Sequence, residues 1–428
     1  VKNKDKMKKY WLLLVWSLFI VDTPSFAQGD DKLDYRKFIE AVQINNLAYA
    51  AERFNIEIAE AEVLSAKAFI DPEVEFSYFD NGQNKRQMGT GYSGELGWTL
   101  ELGGKRKARI NLTKSEVELT KLILLDYFKN LKADATASFI QTIYQREILN
   151  VKKNSYEMMD QLANSDEIRY RLGEISETDA RQSRLEAQFL KNEIIQAEAD
   201  FIASKIRLLL FMGINQQTDL FSTTGNLKSF ERDFNLMDLI EKALNHRTDL
   251  LALLQRKDVN QRVVELAKAN RAVDLGLSLG VEYSTAIRNV QAETPQFTQI
   301  KGGVSIPLKF SNRLNNELKI AQIKLKQNEL EYQQVELEIK TQVKEAYKLY
   351  ESYKKQLSQF DSGLLENAQL ILEAKKYSYK RGNSSLLEVL NAQRTYNEVQ
   401  NQYLETLFKC ASSLIDLERV AGIWDIAF

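Results

Sequence analysis

Cysteine, histidine and proline are nearly absent from this chain, which has one Cys, one His and 4 Pro in 428 residues. A lone cysteine, Cys410, excludes an intrachain disulfide in any compartment. Cys410, His246 and 6 Met are too few for the soft or imidazole ligand set of a transition-metal site. Charge of one sign is also missing. Lys+Arg 58 against Asp+Glu 59 leaves a net charge of -1, which gives no electrostatic reason to expect a nucleic-acid partner. Gly103-Gly104-Lys105 fails as a phosphate loop, because Arg106 follows the lysine and Thr99 stands where a glycine is required. No triad, metal set or nucleotide loop remains, so the reading is a non-enzyme without a cofactor. His246 lies in Asn245-His246-Arg247-Thr248-Asp249-Leu250, where a capping or surface role is expected.

Long apolar runs are scarce too. The run from Trp11 to Val21 follows Lys6, Lys8 and Lys9 and precedes Pro24 and Ser25-Phe26-Ala27. Eleven residues are too few to span a bilayer, and the order of regions is that of a secretory signal peptide over 1–27. Cleavage after Ala27 leaves Gln28 as the mature end, with no cysteine there for lipid attachment. Translation from Met7, with Val1 to Lys6 upstream, is one alternative to a start at Val1.

With 18 Gly and 4 Pro the chain has few turns, hence few and long elements. Stretches 30–71, 105–172, 174–212, 226–275, 308–362 and 383–421 contain neither residue. Sixty-eight uninterrupted helical residues would run about 100 Å, far beyond a compact globule. Leu318, Leu325, Tyr332, Ile339 and Ala346 repeat every seven, as helices packed side by side require. Between the long stretches, period two takes over. In Leu275-Gly276-Leu277-Ser278-Leu279-Gly280-Val281-Glu282-Tyr283 apolar residues alternate with small or polar ones. Similar rows contain Leu96, Trp98 and Leu100; Ile300, Val304 and Ile306; and Val74, Phe76 and Tyr78. Four strands are predicted, at about 73–81, 92–102, 275–285 and 297–308, with the alternation of transmembrane β-strands. Polar loops 80–91 and 286–296 form their exposed ends.

The two halves repeat. Asp71 matches Asp274 at an offset of 203, Leu102 matches Leu308 at 206, and Gly173 matches Gly382 at 209. The expected units are therefore 28–235 and 236–428, each running helix, two strands, long helix, turn near Gly173 or Gly382, long helix. Four strands cannot close a barrel, and open edges are not tolerated in lipid, so the chain must assemble with copies of itself.

The residues after the second strand, Leu100-Glu101-Leu102-Gly103-Gly104-Lys105-Arg106-Lys107-Ala108-Arg109, together with the duplicated order, resemble the TolC-type outer-membrane efflux factors. The version of the motif is similar to the heavy-metal cation-efflux branch. Arg169-Tyr170-Arg171-Leu172-Gly173 and Tyr379-Lys380-Arg381-Gly382 carry the rest of the likeness. The resemblance implies an α+β membrane channel: a homotrimer with a twelve-stranded outer-membrane barrel, four strands per chain, continued by a periplasmic α-helical barrel of coiled-coil hairpins. It implies a periplasmic membrane-fusion adaptor and an inner-membrane pump of the RND type as partners, outer-membrane lipid around the barrel, and passive conduction. It places the turns at Gly173 and Gly382 at the periplasmic tip, with Asp179, Tyr379 and Glu388 as gate residues. Two positions depart from the gates of some members, Ser384 for a basic residue and Asn391 for an acidic one. Lys105, Arg106, Lys107 and Arg109 form a basic cluster expected at lipid head groups. The alternatives are a periplasmic coiled-coil adaptor or scaffold, and an exit channel for drugs or for a type I secretion system.

Overall fold

The computed structural model describes residues 31–215, 221–228 and 230–426. The expected signal peptide, 1–27, and the mature end at Gln28 lie outside these residues.

The first repeat opens with β1 (Asp31–Leu33), α1 (Tyr35–Asn45) and α2 (Leu47–Lys67). It continues through β2 (Glu73–Asp80), β3 (Thr90–Leu100), α3 (Lys105–Arg171), α4 (Glu177–Phe211) and β4 (Phe221–Thr223). The second repeat runs α5 (Leu236–His246), α6 (Thr248–Ala269), β5 (Leu275–Ser284), β6 (Phe297–Ser305), α7 (Arg313–Gln359), a π-helical turn over Phe360–Leu364, α8 (Leu365–Lys380) and α9 (Leu386–Ala421). The repeat boundary read from sequence falls at Asn235, whose side chain accepts from Met237 N and caps α5.

The strands β2-β3-β5-β6 form one antiparallel sheet in that order. Facing pairs put Val74 against Leu96, Leu96 against Leu279, and Val281 against Ile300. Because facing residues share a side of a sheet, one side is a continuous apolar surface. Phe76, Leu279 and Ile300 on it are exposed by 83%, 62% and 78%. The other side carries Glu73, Glu75, Ser77, Ser93, Glu95, Ser278, Glu282 and Lys301. Phe79 also lies there, its ring over Gly91, where a Cβ would meet it at 2.1 Å. Both outer edges, β2 and β6, pair with nothing among the described residues. Two strand ends shift from the sequence reading. β3 covers 90–100 rather than 92–102, because Gly103 and Gly104 turn left-handed (φ 70° and 73°) and start α3. β6 stops at Ser305, just before Pro307, which has no N–H to give to a ladder.

Away from the sheet the helices run as two hairpins. At 1.5 Å per residue the 67 residues of α3 extend about 100 Å. Their main core is a belt partway along, where α1, α5, the parallel pair β1–β4 and the end of α9 gather around α3 and α7. Phe38, Phe139, Ile140, Leu239 and Leu414 are fully enclosed there. Tyr350 pins the belt, its hydroxyl accepting from Arg232 N (2.7 Å) and lying 2.9 Å from Phe230 O. Along α7 the heptad positions Leu318, Leu325, Tyr332 and Ala346 are half-buried and Ile339 is buried. A second apolar row, Ile323, Leu330 and Leu337, is exposed by 54%, 67% and 61%. Among the described residues no helix is long and apolar enough to cross a membrane.

Candidate gate and barrel junction

The two hairpin turns are built alike. At each, a glycine with φ 79° (Gly173) or 76° (Gly382) ends the helix, and its N–H reaches the carbonyl three residues back, of Tyr170 or Tyr379. The next N–H bonds a carbonyl five back, of Arg169 or Ser378. This is a left-handed helix stop that only glycine adopts without strain. A Cβ would meet nothing within 4 Å at either position, so the backbone angle alone makes the demand.

The helix starts repeat the symmetry. Ser176 Oγ accepts from Asp179 N (3.1 Å), and Ser385 Oγ lies 3.4 Å from Glu388 N. Asp179 and Glu388 thus occupy the third position of their helices, where a carboxylate suits the positive helix end. Beyond this they part. Ser176 donates to Asp179 Oδ2 (2.8 Å), and Asp179 is half-buried on the side of Tyr379. Glu388 is exposed and takes hydrogen bonds from Lys375 Nζ (2.6 Å) and Ser384 Oγ (2.8 Å). Lys375 and Ser384 hold its carboxyl below the usual range. Asn391 is exposed at the surface of α9.

Tyr379 is only 5% exposed and sits in a second core, with Met159, Ala163, Leu190 and Leu390. Its hydroxyl donates to Asp166 Oδ1 at 3.0 Å, tying the second hairpin to α3 of the first. Asp166 is wholly enclosed, and its Oδ2 has no hydrogen-bond partner. Arg169 lies over the Tyr379 ring at 5.0 Å, with Nη1 3.9 Å from Asp166 Oδ1. Burial pushes the Asp166 carboxyl up and the nearby Asp179 charge adds to it, against the pull of Tyr379, Ser183 and Arg169. Burial and the Asp166 charge likewise raise the Tyr379 phenol. The turn residues therefore form a lock across hairpins, and a partly unsatisfied one. Sequence reasoning missed Asp166 and the role of Arg169. The one signal was that Tyr379 and Tyr170 precede their glycines identically while only one of them needs a buried partner.

At the other end, the four basic residues divide. Lys105, 6% exposed, pairs with Asp274 at 2.5 Å. Arg106 donates to Lys67 O (2.8 and 2.6 Å) and covers the Phe69 ring. Arg109 grips Glu101 with two bonds of 2.8 and 3.0 Å. Of the four, Lys107 alone is exposed. These pairs offset the cost of positive charge at a helix start, and they tie α2, β3 and α3 to Asp274 before β5. His246 gives its carbonyl to Lys129 (3.0 Å). Among the described residues no group of three His, Cys, Asp or Glu could hold a metal.

Residues 239–423 match the family model described as outer membrane efflux protein. The chain is similar to the cobalt-zinc-cadmium resistance protein CzcC of Cupriavidus metallidurans, 23% identical over 399 residues, covering 93% of this chain and 92% of that protein. Among solved structures, CusC superposes with a TM-score of 0.73 at 17% identity, over 91% of this chain and 92% of that one. The Campylobacter jejuni CmeC outer membrane channel gives 0.72 at 16% identity, over 90% and 85%. The fold is thus the α+β channel fold over nearly all the described residues. A chain of four barrel-type strands and two long hairpins is similar to the outer membrane efflux proteins, over 239–423 by the family model and along nearly its whole length to CzcC and CusC.

Proposed function

We propose that three copies of the chain form an outer-membrane exit duct that passively conducts metal cations delivered by an inner-membrane RND-type pump through a periplasmic adaptor. The chain is an efflux channel subunit and not an enzyme. The observation that carries the rest is the sheet. It has one apolar and one polar side, both edges unpaired among the described residues, on the same chain as hairpins of about 100 Å. Open edges are not stable in lipid, and twelve strands from three copies close a barrel with the apolar side outward. A coiled-coil adaptor has no use for such a sheet. Strands of 8 to 11 residues suit a tilted crossing of the hydrocarbon core. Lys107 faces head groups at the rim, while Lys105, Arg106 and Arg109 hold the junction between barrel and helices.

Metal cations are favoured over drugs or secreted polypeptides by the likeness to a cobalt-zinc-cadmium resistance protein. The tip is the gate. Tyr379 holds the two hairpins together through Asp166, and Asp179 and Glu388 from three copies ring the opening with carboxylates. Export depends on a signal peptide over 1–27, cut after Ala27.

Deleting the gene tests the substrate. The deletion strain accumulates cobalt, zinc or cadmium several-fold over the parent, and the intact gene restores the parental level. Unchanged metal content, with dyes or drugs accumulating instead, would overturn the metal reading and leave the duct.

A further inference from the structure

The duplication makes the middle of the sheet a template for its edges. β3 and β5 belong to different repeats and meet at the centre. β6 is the repeat-mate of β3, displaced by 206 positions, and β2 is the repeat-mate of β5, displaced by 203. The seam between repeats inside one chain therefore maps onto a seam between β6 of one copy and β2 of the next. Translating the observed pairs fixes its register. Leu96 opposite Leu279 becomes Gly302 opposite Phe76, and Trp98 opposite Leu277 becomes Val304 opposite Val74. On the polar side, Thr99 opposite Gly276 becomes Ser305 opposite Glu73, and Glu95 opposite Gly280 becomes Lys301 opposite Ser77.

Resting on the oligomeric channel reading above, we propose that β6 and β2 of adjacent copies pair antiparallel in this register, with Gly302 facing Phe76 of the partner subunit.

Three observations that did not enter the translation agree with it. A slip of one residue would turn one strand's apolar row to the other side, whereas this register keeps Val74, Phe76 and Tyr78 on the side of Ile300 and Val304. Phe76, the most exposed aromatic of the sheet, is flanked by glycine on both sides. Its ring lies 3.3 Å from the Cβ position of Gly94 in its own chain, and across the seam it meets Gly302, where a Cβ has nothing within 4 Å. Charges complement as well. Lys301 pairs with Glu282, which sits diagonally across the β5–β6 ladder. The partner's Glu75 sits diagonally on its other side, within reach of a long side chain. Among the described residues Glu75 has no cation of its own chain in an ion pair. Lys301 would then stand between two carboxylates of different subunits. The register also carries the helix junction with it. Asp274, which accepts from Leu102 N and Lys105 Nζ inside the chain, has its repeat-mate in the exposed Asp71. Asp71 comes to Leu308 N and Ser311 of the neighbour.

Paired cysteines test the register in the full-length protein with Cys410→Ala. β2 and β6 are opposite edges of a four-stranded sheet, about 14 Å apart at the usual strand spacing, too far for a bond within one chain. Glu73→Cys with Ser305→Cys is in register. Glu75→Cys with Ser305→Cys and Glu73→Cys with Gly303→Cys are each shifted by two residues on the same side. Glu75→Cys with Gly303→Cys is a second in-register pair in case the first misfolds. With a mild oxidant in isolated membranes, the in-register pairs are expected to give covalent dimers and trimers on denaturing gels, about tenfold above the shifted pairs. Stronger cross-linking of a shifted pair overturns the register. No cross-linking in any pair, with a trimer still present by native mass, overturns the β6–β2 seam but keeps the channel. A monomer by native mass overturns both.

Discussion

The two hairpins of this chain share a design and differ at one place. In the first, α3 runs unbroken for 67 residues to Gly173. In the second, 74 positions separate Leu308 from Gly382 where 71 separate their counterparts Leu102 and Gly173. Two of the three extra residues precede the helix, since α7 starts five positions after Leu308 where α3 starts three after Leu102. The third would turn the following stretch by about 100°, and the second hairpin is interrupted by the π-helical turn at Phe360–Leu364, where Gly363 takes φ 98°. One hairpin is a rigid strut and the other a strut with a joint. The jointed one carries Tyr379, the residue that locks onto the rigid one.

The largest effect is expected at that lock. Tyr379→Ala removes a buried ring, a truncation that costs about 3–5 kcal/mol in well-packed sites, and leaves Asp166 buried without its donor. The variant should assemble but show raised single-channel conductance in planar bilayers. Tyr170→Ala, at the equivalent place beside Gly173 and 39% exposed, should change conductance little. Equal effects of the two would break the contrast between hairpins. Glu388→Gln should lower cation selectivity in the same recordings.

Next comes the junction. Lys105→Met strands Asp274, and breaking a buried pair from one side costs about 3–5 kcal/mol. Asp274 keeps some exposure, so about 2 kcal/mol is expected, read as a lower dissociation temperature of the assembled protein. The matching position in the second repeat is the exposed Ser311, and Ser311→Ala should stay within about 0.5 kcal/mol of the parent.

A third contrast lies in the belt. Where the first repeat buries Leu209, the second buries Glu418, fully enclosed beside Arg232 (3.2 Å). Burial and the neighbouring Asp425 carboxyl, against the pull of the Asp425 N–H and Arg232, push its carboxyl up to about 8. A carboxyl raised in the folded state binds its proton more tightly there than unfolded. Its contribution is therefore complete below about pH 4.5, near the ordinary glutamate value, and is lost as pH rises through about 8. Melting temperature should fall across that window, by up to a few kcal/mol in stability, and Glu418→Gln should flatten the profile.

The smallest effect is expected at the joint. Gly363→Ala meets no clash, its nearest neighbour being Asn367 Nδ2 at 3.8 Å. It pays only the left-handed backbone cost of about 1–2 kcal/mol. Opening frequency, more than stability, should report it.

Much of this was legible in the sequence because it is periodic. The β-strands announce themselves by alternation from Leu275 to Tyr283, the turns by Gly173 and Gly382, and the duplication by drifting offsets. What stayed hidden depends on contacts between distant residues. Nothing local says that Lys105 meets Asp274, that Arg109 meets Glu101 across a helix start, or that Asp166 waits for Tyr379 from 213 positions away. The belt was invisible for the same reason, since β1 and β4 are three residues each and pair across the first repeat. Gly363 did interrupt a long glycine-free stretch, but a single glycine cannot tell a π turn from an ordinary helix end.

A barrel shared between chains is what joins the strands, the junction and the hairpins into one duct. Native mass measurement of the detergent-released protein tests it most directly. It should give three copies of the mature chain in one heat-sensitive complex that conducts in planar bilayers, and a stable, folded monomer would contradict it.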